Sequence, residues 1–210
     1  PSYYRKVWDV SKFADSANAS YMPSTNNIVI PFGMMQAPFY DKNASRAENS
    51  GGLFFTICHE LTHAFGSDGA LYDEVGRKRN WWTDEDFAKF EERSKSMVSY
   101  YEQWEYKPGE KQDAKIALNE NIADQGAIHC MLSLVGDDPE QQRTAMECFA
   151  RCEYEMRPDA YYKIVIGRTH SFAPIRVNGT VAATDEFQKA YHVEPGDKMY
   201  VAPEARPRLW

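Results

Sequence analysis

Two histidines and a glutamate within five consecutive residues could carry out metal-dependent chemistry. Residues 59–63 read His-Glu-Leu-Thr-His, so His59 and His63 are four positions apart. On a helix of about 3.6 residues per turn, their imidazoles lie on one face and can bind the same metal ion. Glu60 flanks that face, where it can exchange a proton with a water molecule instead of binding the metal. The spacing predicts a hydrolytic zinc site.

A second stretch supplies acids at the same spacing. Residues 118–124 read Leu-Asn-Glu-Asn-Ile-Ala-Asp, which places Glu120 and Asp124 on one face of a second helix. One carboxylate can be the third metal ligand, and the other can accept a hydrogen bond from a ligand histidine. Two histidines and one carboxylate leave one position of a zinc ion open, which is typical of catalytic sites. A purely structural zinc site is less favoured, because such sites usually have four protein ligands and are rich in cysteine.

The surrounding sequence predicts that these residues lie on helices. Apolar periodicity, capping residues and Gly or Pro breaks predict helices at about 53–65, 83–107, 112–135, 139–156 and 184–191. The first is apolar except for Glu60, which indicates burial on most sides. The third carries Glu120 and Asp124. His170 and Arg176 fall between predicted helices, in a predicted loop.

One short segment predicts a strand. Residues 27–32 read Asn-Ile-Val-Ile-Pro-Phe, an apolar β-branched run between turn formers. Pro31 indicates a strand end or a sheet edge, and an extended peptide can pair with such an edge. The predicted fold class is therefore α+β, mainly α, with a small sheet and a pair of active-site helices. This is the layout of a thermolysin-like zincin catalytic domain.

Length and charge exclude several other classes of protein. The 210 residues include 24 Lys and Arg against 31 Asp and Glu, giving a formal net charge of −7. This length suits one domain, residues 1–210, and no basic face suggests nucleic acid as a partner. No apolar stretch approaches the roughly 20 residues that span a bilayer, and the first residues do not form a signal peptide. We expect no membrane segment in this chain.

The cysteines favour a reducing compartment. All four fall inside predicted helices: Cys58, Cys130, Cys148 and Cys152. Buried free thiols explain them better than a metal site or a disulfide framework. Because disulfides persist in oxidising compartments, their expected absence is consistent with an intracellular setting.

Further segments match a known family in order and spacing. They are Asn-Ala-Ser-Tyr at 18–21, Ile-Pro-Phe-Gly at 30–33, Gln-Ala-Pro-Phe at 36–39, Gly-Gly at 51–52, residues 59–63, Trp-Trp at 81–82, residues 119–124, His170, Arg-Val-Asn-Gly at 176–179 and Trp210. Nearly the whole chain resembles the catalytic part of the neprilysin-like peptidases, the M13 family, whose bacterial members include the oligopeptidase O group. The resemblance implies a zinc-dependent endopeptidase that hydrolyses short peptides.

The resemblance also implies a metal site in which each residue has a defined role. His59, His63 and Glu120 match the ligands of one zinc ion. Glu60 matches the general base that activates water, and Asp124 matches the carboxylate that orients a ligand histidine.

Other matching residues imply how a peptide is held. His170 matches the histidine that stabilises the oxyanion, and Arg176 matches an arginine that binds the substrate backbone. Asn18 and Ala19 match the pair that holds an extended peptide antiparallel to the edge strand.

The chain departs from the family in length and at three local positions. The resemblance implies full-length chains about three times as long. We therefore expect this chain to be a fragment that lacks the N-terminal helical lobe, which is the partner of the active site in the family. Gly66 and Ser67 replace aspartates common in the family, and Arg168 replaces an aspartate that often supports His170. A cation at 168 that points inward would lower the pKa of His170.

These departures leave a second function open. The alternative is a non-enzymatic, zinc-bearing module that binds peptides, in which the altered surroundings of the metal have weakened turnover. Intact metal ligands and an intact Glu60 argue against it. The C-terminal cysteine of many secreted members is also missing, which favours a bacterial cytoplasmic location.

Overall fold

The computed structural model describes residues 15–209. Its two strands, Ser20–Met22 (β1) and Asn27–Val29 (β2), pair antiparallel with Tyr21 opposite Ile28. The strand predicted at residues 27–32 is thus correctly located but shorter. It ends before Pro31, whose missing N–H cannot continue the ladder, and a 3₁₀ turn follows at Phe32–Met34.

The described residues are otherwise mainly helical, which confirms the predicted fold class. The α-helices are Arg46–Asn49 (α1), Phe55–His63 (α2), Asp84–Tyr101 (α3), Leu118–Val135 (α4), Pro139–Cys152 (α5), Asp159–Ile164 (α6), Ala173–Ala182 (α7) and Asp185–Ala190 (α8). A π-helical turn, Ser50–Phe54, leads into α2, and short 3₁₀ turns lie at Pro23–Thr25, Gly69–Leu71 and Pro203–Ala205.

Side-chain caps explain where several helices begin. Thr83 accepts a hydrogen bond from the backbone N–H of Asp86, and Asp138 accepts one from Glu140. Each cap satisfies a backbone N–H that has no partner within its helix. The starts predicted at these residues are therefore correct.

Tertiary contacts shorten other predicted helices. The helix predicted from residue 112 begins six residues later, because the Gln112 side chain hydrogen-bonds to the loop around His170. The helix predicted to reach 107 ends at Tyr101, and Tyr106 packs its ring 4.6 Å from that of Phe172. The helix predicted to reach 156 ends at Cys152.

The prediction that Arg176 lies in a loop is wrong, since it lies on α7. The sequence Asn178-Gly179 suggested a loop, because both residue types weaken helices. Here the bare Cα of Gly179 lies against Tyr101, where an added Cβ would be 2.8 Å from ring atom Cε1. Packing therefore overrides propensity. His170 does lie in a loop, just before α7.

The helices α2 and α4 pack closely at the centre of the structure. A Cβ added at Gly126 of α4 would lie 2.5 Å from both Cγ2 and Oγ1 of Thr62 on α2. The Thr62 hydroxyl is itself held by the Cys58 carbonyl at 2.7 Å. Around this pair, the core includes Phe55 and Phe149, whose rings stack with centroids 4.0 Å apart.

The predicted burial of the cysteines is only partly right. All four are free, and Cys58 and Cys148 are buried. Cys130 is exposed on α4, and Cys152 is half-buried where α5 ends. Within residues 15–209, no helix combines the length and the apolar character needed to cross a membrane.

Gly51 should be intolerant of a side chain, because the turn before α2 runs directly against α5. A Cβ at Gly51 would lie 1.9 Å from the backbone oxygen of Ala145. We expect Gly51→Ala to lower the free energy of unfolding by about 1–3 kcal/mol, the usual effect of overpacking. Urea denaturation measures it, with Gly167→Ala as the control, since no atom lies within 4 Å of that Cβ position. Equal losses in both variants would contradict the prediction.

Candidate active site

The structure brings the three predicted metal ligands together. His59 and His63 project from α2, and their Nε2 atoms are 3.1 Å apart. Glu120, near the start of α4, places Oε2 3.2 Å from Nε2 of His59 and 3.5 Å from Nε2 of His63. One ligand atom from each residue lies within 4.8 Å of the others.

The chemistry of these three residues fits a cation. Nδ1 of His59 hydrogen-bonds to Asp124, so a neutral His59 directs the lone pair of Nε2 towards Glu120. Within residues 15–209, the buried Oε2 of Glu120 has no hydrogen bond of good geometry, although Nε2 of His59 and of His63 lie 3.2 and 3.5 Å from it. Lone pairs from two imidazoles and a carboxylate therefore converge, an arrangement that repels unless a positive ion lies between them. Two nitrogens and one oxygen suit zinc and leave one coordination position open.

Asp124 lies behind His59 and hydrogen-bonds to its imidazole. Its carboxylate is 1% exposed, and Oδ1 is 2.7 Å from Nδ1 of His59. Arg176 donates from Nε to Oδ2 at 2.7 Å and from Nη2 to Oδ1 at 2.8 Å. Burial alone would raise the pKa of Asp124, but Arg176 and His59 lower it to about 2. An ionised Asp124 thus fixes the imidazole of His59.

Glu60 is buried beside the ligands and is only 6% exposed. Burial raises its pKa above the ordinary glutamate value, although His59, His63 and a hydrogen bond from the Tyr21 backbone oppose this shift. A carboxylate with a raised pKa accepts a proton more readily near neutral pH. The environment of Glu60 therefore suits a general base.

His170 approaches the metal site from the loop before α7. Its Nε2 is 3.1 Å from Oε2 of Glu120, and its side chain is 38% exposed. Gln112 fixes this loop by donating to the His170 carbonyl at 3.0 Å and accepting from the Phe172 N–H at 2.8 Å. Ser171 donates to Asn121 of α4 at 2.7 Å. The loop is thereby held against the helix that carries Glu120.

The side chain of Arg168 supports the loop that carries His170 by binding the loop backbone. Nε of Arg168 donates to the His170 carbonyl at 3.0 Å, and Nη1 lies 3.3 Å from Glu155. The pKa of His170 is lowered, but burial is the main cause and Arg176 adds to it, against the opposing effect of Glu120. The guanidinium of Arg168 therefore contacts Glu155 and the loop backbone, and not the imidazole of His170.

Gly66 and Ser67, which replace aspartates common in the family, lie in the segment that follows α2. Ser67 donates to Oδ1 of Asn119 at 2.9 Å, and Nδ2 of Asn119 donates to Asp68 at 3.1 Å. These side-chain hydrogen bonds tie the segment to α4, whereas its contact with His63 is a backbone hydrogen bond, from the Gly66 N–H to the His63 carbonyl at 3.2 Å. A Cβ at Gly66 would contact only the His63 carbonyl oxygen, at 3.5 Å, so the space beside it is open.

The three candidate metal ligands, Glu60 and His170 line a cleft of about 500 Å³. Its walls contain every residue predicted for the site except Asp124, which lies beneath His59. Asn18 is exposed and Ala19 is buried just before β1, so both lie where a bound chain could run beside that strand. The predicted substrate-binding and metal-binding residues thus share one cavity.

Sequence reasoning missed Gln112 and Glu153. Glu153 follows α5 and accepts a hydrogen bond from Nη1 of Arg176 at 2.7 Å. Neither residue has a sequence signal, because each partner is distant along the chain. Asn121 and Gln125 are polar residues on a largely apolar helix, and both are buried and hydrogen-bonded.

Known proteins resemble this chain over most of its length. A neutral endopeptidase of Lactobacillus helveticus is 40% identical over 207 residues, which are 98% of this chain and 32% of the relative. The crystal structure of PepO from Lactobacillus rhamnosis superposes with a TM-score of 0.84 at 36% identity, covering 90% of this chain and 30% of that one. The Mycobacterium tuberculosis zinc metalloprotease Zmp1, solved with an inhibitor, gives 0.84 at 29% identity, with coverages of 92% and 32%.

This chain therefore spans about a third of the length of these relatives. The model of peptidase family M13 matches residues 18–206. That match covers most of the chain, and the chain belongs to peptidase family M13.

Proposed function

We propose that this chain is the catalytic part of a zinc-dependent endopeptidase that cleaves short peptides. The observation that carries the proposal is the convergence of His59 Nε2, His63 Nε2 and Glu120 Oε2, all within 3.5 Å of one another, beside buried Glu60. The names of two similar proteins, a neutral endopeptidase and a zinc metalloprotease, support the same reaction.

One zinc ion would be held by His59, His63 and Glu120. When bound, zinc polarises the peptide carbonyl and lowers the pKa of water. Asp124 would keep His59 in the required orientation and tautomer, because it accepts a hydrogen bond from Nδ1–H and leaves the lone pair of Nε2 free.

Glu60 would move the proton during hydrolysis. Its carboxylate takes a proton from the attacking water and delivers it to the departing amine. His170, on the exposed side of Glu120, would donate a hydrogen bond from Nε2 to the oxyanion formed from the peptide carbonyl. Glu60 would thus act on the attacking water and the departing amine, and His170 on the oxyanion.

Arg176 would hold the peptide backbone. A guanidinium has five N–H donors, and hydrogen bonds to Asp124 and Glu153 use three of them. The remaining donors can reach a carbonyl in the cleft that Arg176 lines. Asn18 and Ala19 would pair with the other side of an extended peptide.

The remaining two thirds of a relative's length would complete the site. We propose that residues 1–210 form one catalytic domain that works with an N-terminal lobe supplied by the longer protein. Such a lobe would close over the cleft and limit substrates to short peptides.

Mass spectrometry of a peptide blocked at both ends tests the proposed reaction. The zinc-loaded full-length protein should produce fragments from an internal bond, and metal analysis should find one zinc ion per chain. Intact peptide that binds to the zinc-loaded protein without being cut would support the binding-module alternative. A protein that neither binds nor cuts peptides would refute both functions.

A further inference from the structure

One wall of the cleft carries a carboxylate that the proposed reaction does not use. Glu153 lies immediately after α5 and lines the cleft together with Arg176 and His170. Its Oε2 accepts a hydrogen bond from Nη1 of Arg176 at 2.7 Å. The side chain is 20% exposed, so the group is partly open to whatever occupies the cleft.

Among the described residues, none contacts the second oxygen of Glu153 through a hydrogen bond or an ion pair. Across residues 15–209, hydrogen bonds and ion pairs to this carboxylate involve Oε2 alone. Oε1 is also absent from the buried polar atoms without partners in that part of the chain. An accessible oxygen with free lone pairs can therefore accept a hydrogen bond from a ligand.

Arg176 does not cancel the negative charge of this wall. Asp124 already engages the guanidinium through both of its oxygens, at 2.7 and 2.8 Å. Glu153 adds a second carboxylate to the same cation. When both carboxylates are ionised, the two of them around one guanidinium carry a net negative charge, and the exposed part of it is on Glu153, whose pKa is raised by burial.

We propose that Glu153 is a specificity-determining residue that selects against carboxylates and favours cationic groups at this end of the cleft. The excluded group can be an acidic side chain or a free C-terminus, and the favoured group is a basic side chain. The inference rests on the proposed peptidase function and names the substrate class of that site. Charge exclusion of a free C-terminus would also direct cleavage towards internal bonds.

Quenched fluorescent peptides with amidated C-termini test this inference. Lys, Gln or Glu is placed in turn at each position flanking the cleaved bond, and kcat/KM is measured with the zinc-loaded full-length protein at mildly alkaline pH. At the position facing Glu153, the Lys peptide should exceed the Glu peptide by roughly fivefold to tenfold. Attraction and repulsion of partly exposed charges both enter that ratio.

Glu153→Gln should bring the ratio close to one. The matched control is Glu147→Gln, which removes the same charge from an exposed position on α5, outside the cleft. It should leave the ratio unchanged. If Glu153→Gln slows all peptides equally, Glu153 merely positions Arg176 and the proposal is wrong. Should Glu153→Gln not fold, Glu153→Asp keeps the charge but shortens its reach, and it should lower the ratio partway.

Binding separates this inference from the proposed reaction. The same labelled Lys and Glu peptides are titrated against the zinc-loaded protein and against its Glu153→Gln variant, which requires no turnover. Charge-dependent binding without cleavage would reject the peptidase function and retain the role of Glu153. Cleavage with no dependence on charge at any position would do the reverse.

Discussion

Glu60→Gln should lower kcat by about 10²- to 10⁴-fold, the usual contribution of a general base. Glutamine has nearly the same shape as glutamate but cannot accept a proton as a carboxylate does. Glu60 is not one of the three residues whose ligand atoms converge, so zinc content should not change. Peptide cleavage gives kcat and KM, and metal analysis of the same preparation gives zinc.

The control for Glu60→Gln is Glu91→Gln on the exposed side of α3. It makes the same chemical change outside the cleft and should retain full turnover. If Glu60→Gln kept more than about a tenth of wild-type kcat with normal zinc content, a different group would have to be the base.

Asp124→Asn should weaken zinc binding by about 10- to 100-fold, as is usual for residues that orient a metal ligand. Asparagine can still accept one hydrogen bond from His59, but it provides no second carboxylate oxygen for Arg176. The imidazole and the guanidinium would therefore lose a shared, charged partner that is 2.7 to 2.8 Å from both. Competition with a chromophoric chelator measures zinc affinity without relying on catalysis.

Asp159→Asn is a suitable control for Asp124→Asn. Asp159 pairs with Lys107 on the exposed surface, so its loss should leave zinc affinity within experimental error. Equal zinc affinities for Asp124→Asn and the wild type would exclude a supporting role for Asp124. Cleavage rates at saturating zinc would then show whether Asp124 affects a later step.

The sequence could predict that His59, His63 and Glu120 converge, because the spacing within each motif is a local property. Residues four apart share a helical face, so His59 with His63 could be recognised without knowing the fold. The prediction that α2 and α4 meet required both motifs, residues 59–63 and residues 118–124, to be assigned to one site. The structure confirms that they do, with Glu120 between the histidines and His170.

The sequence could not predict contacts between distant residues. Gln112 looked like the start of a helix, but its amide binds a loop 58 residues away. Gly179 looked like a loop residue until Tyr101 filled the space beside it. Arg168 is a cation two positions before His170 in sequence, yet its guanidinium pairs with Glu155. In each case, a tertiary partner decided where the side chain or backbone went.

The bare Cα of Gly126 bears on how the metal site is assembled. It allows α2 to approach α4 until Thr62 fills the space that a side chain would occupy. The ligands are consequently carried by two rigid helices already locked together by folding, and little conformational entropy remains to be lost when an ion enters. If the two helices were farther apart, the ion would have to order the ligands as it bound. Gly126 therefore helps to preorganise the ligands, although it is not a ligand itself.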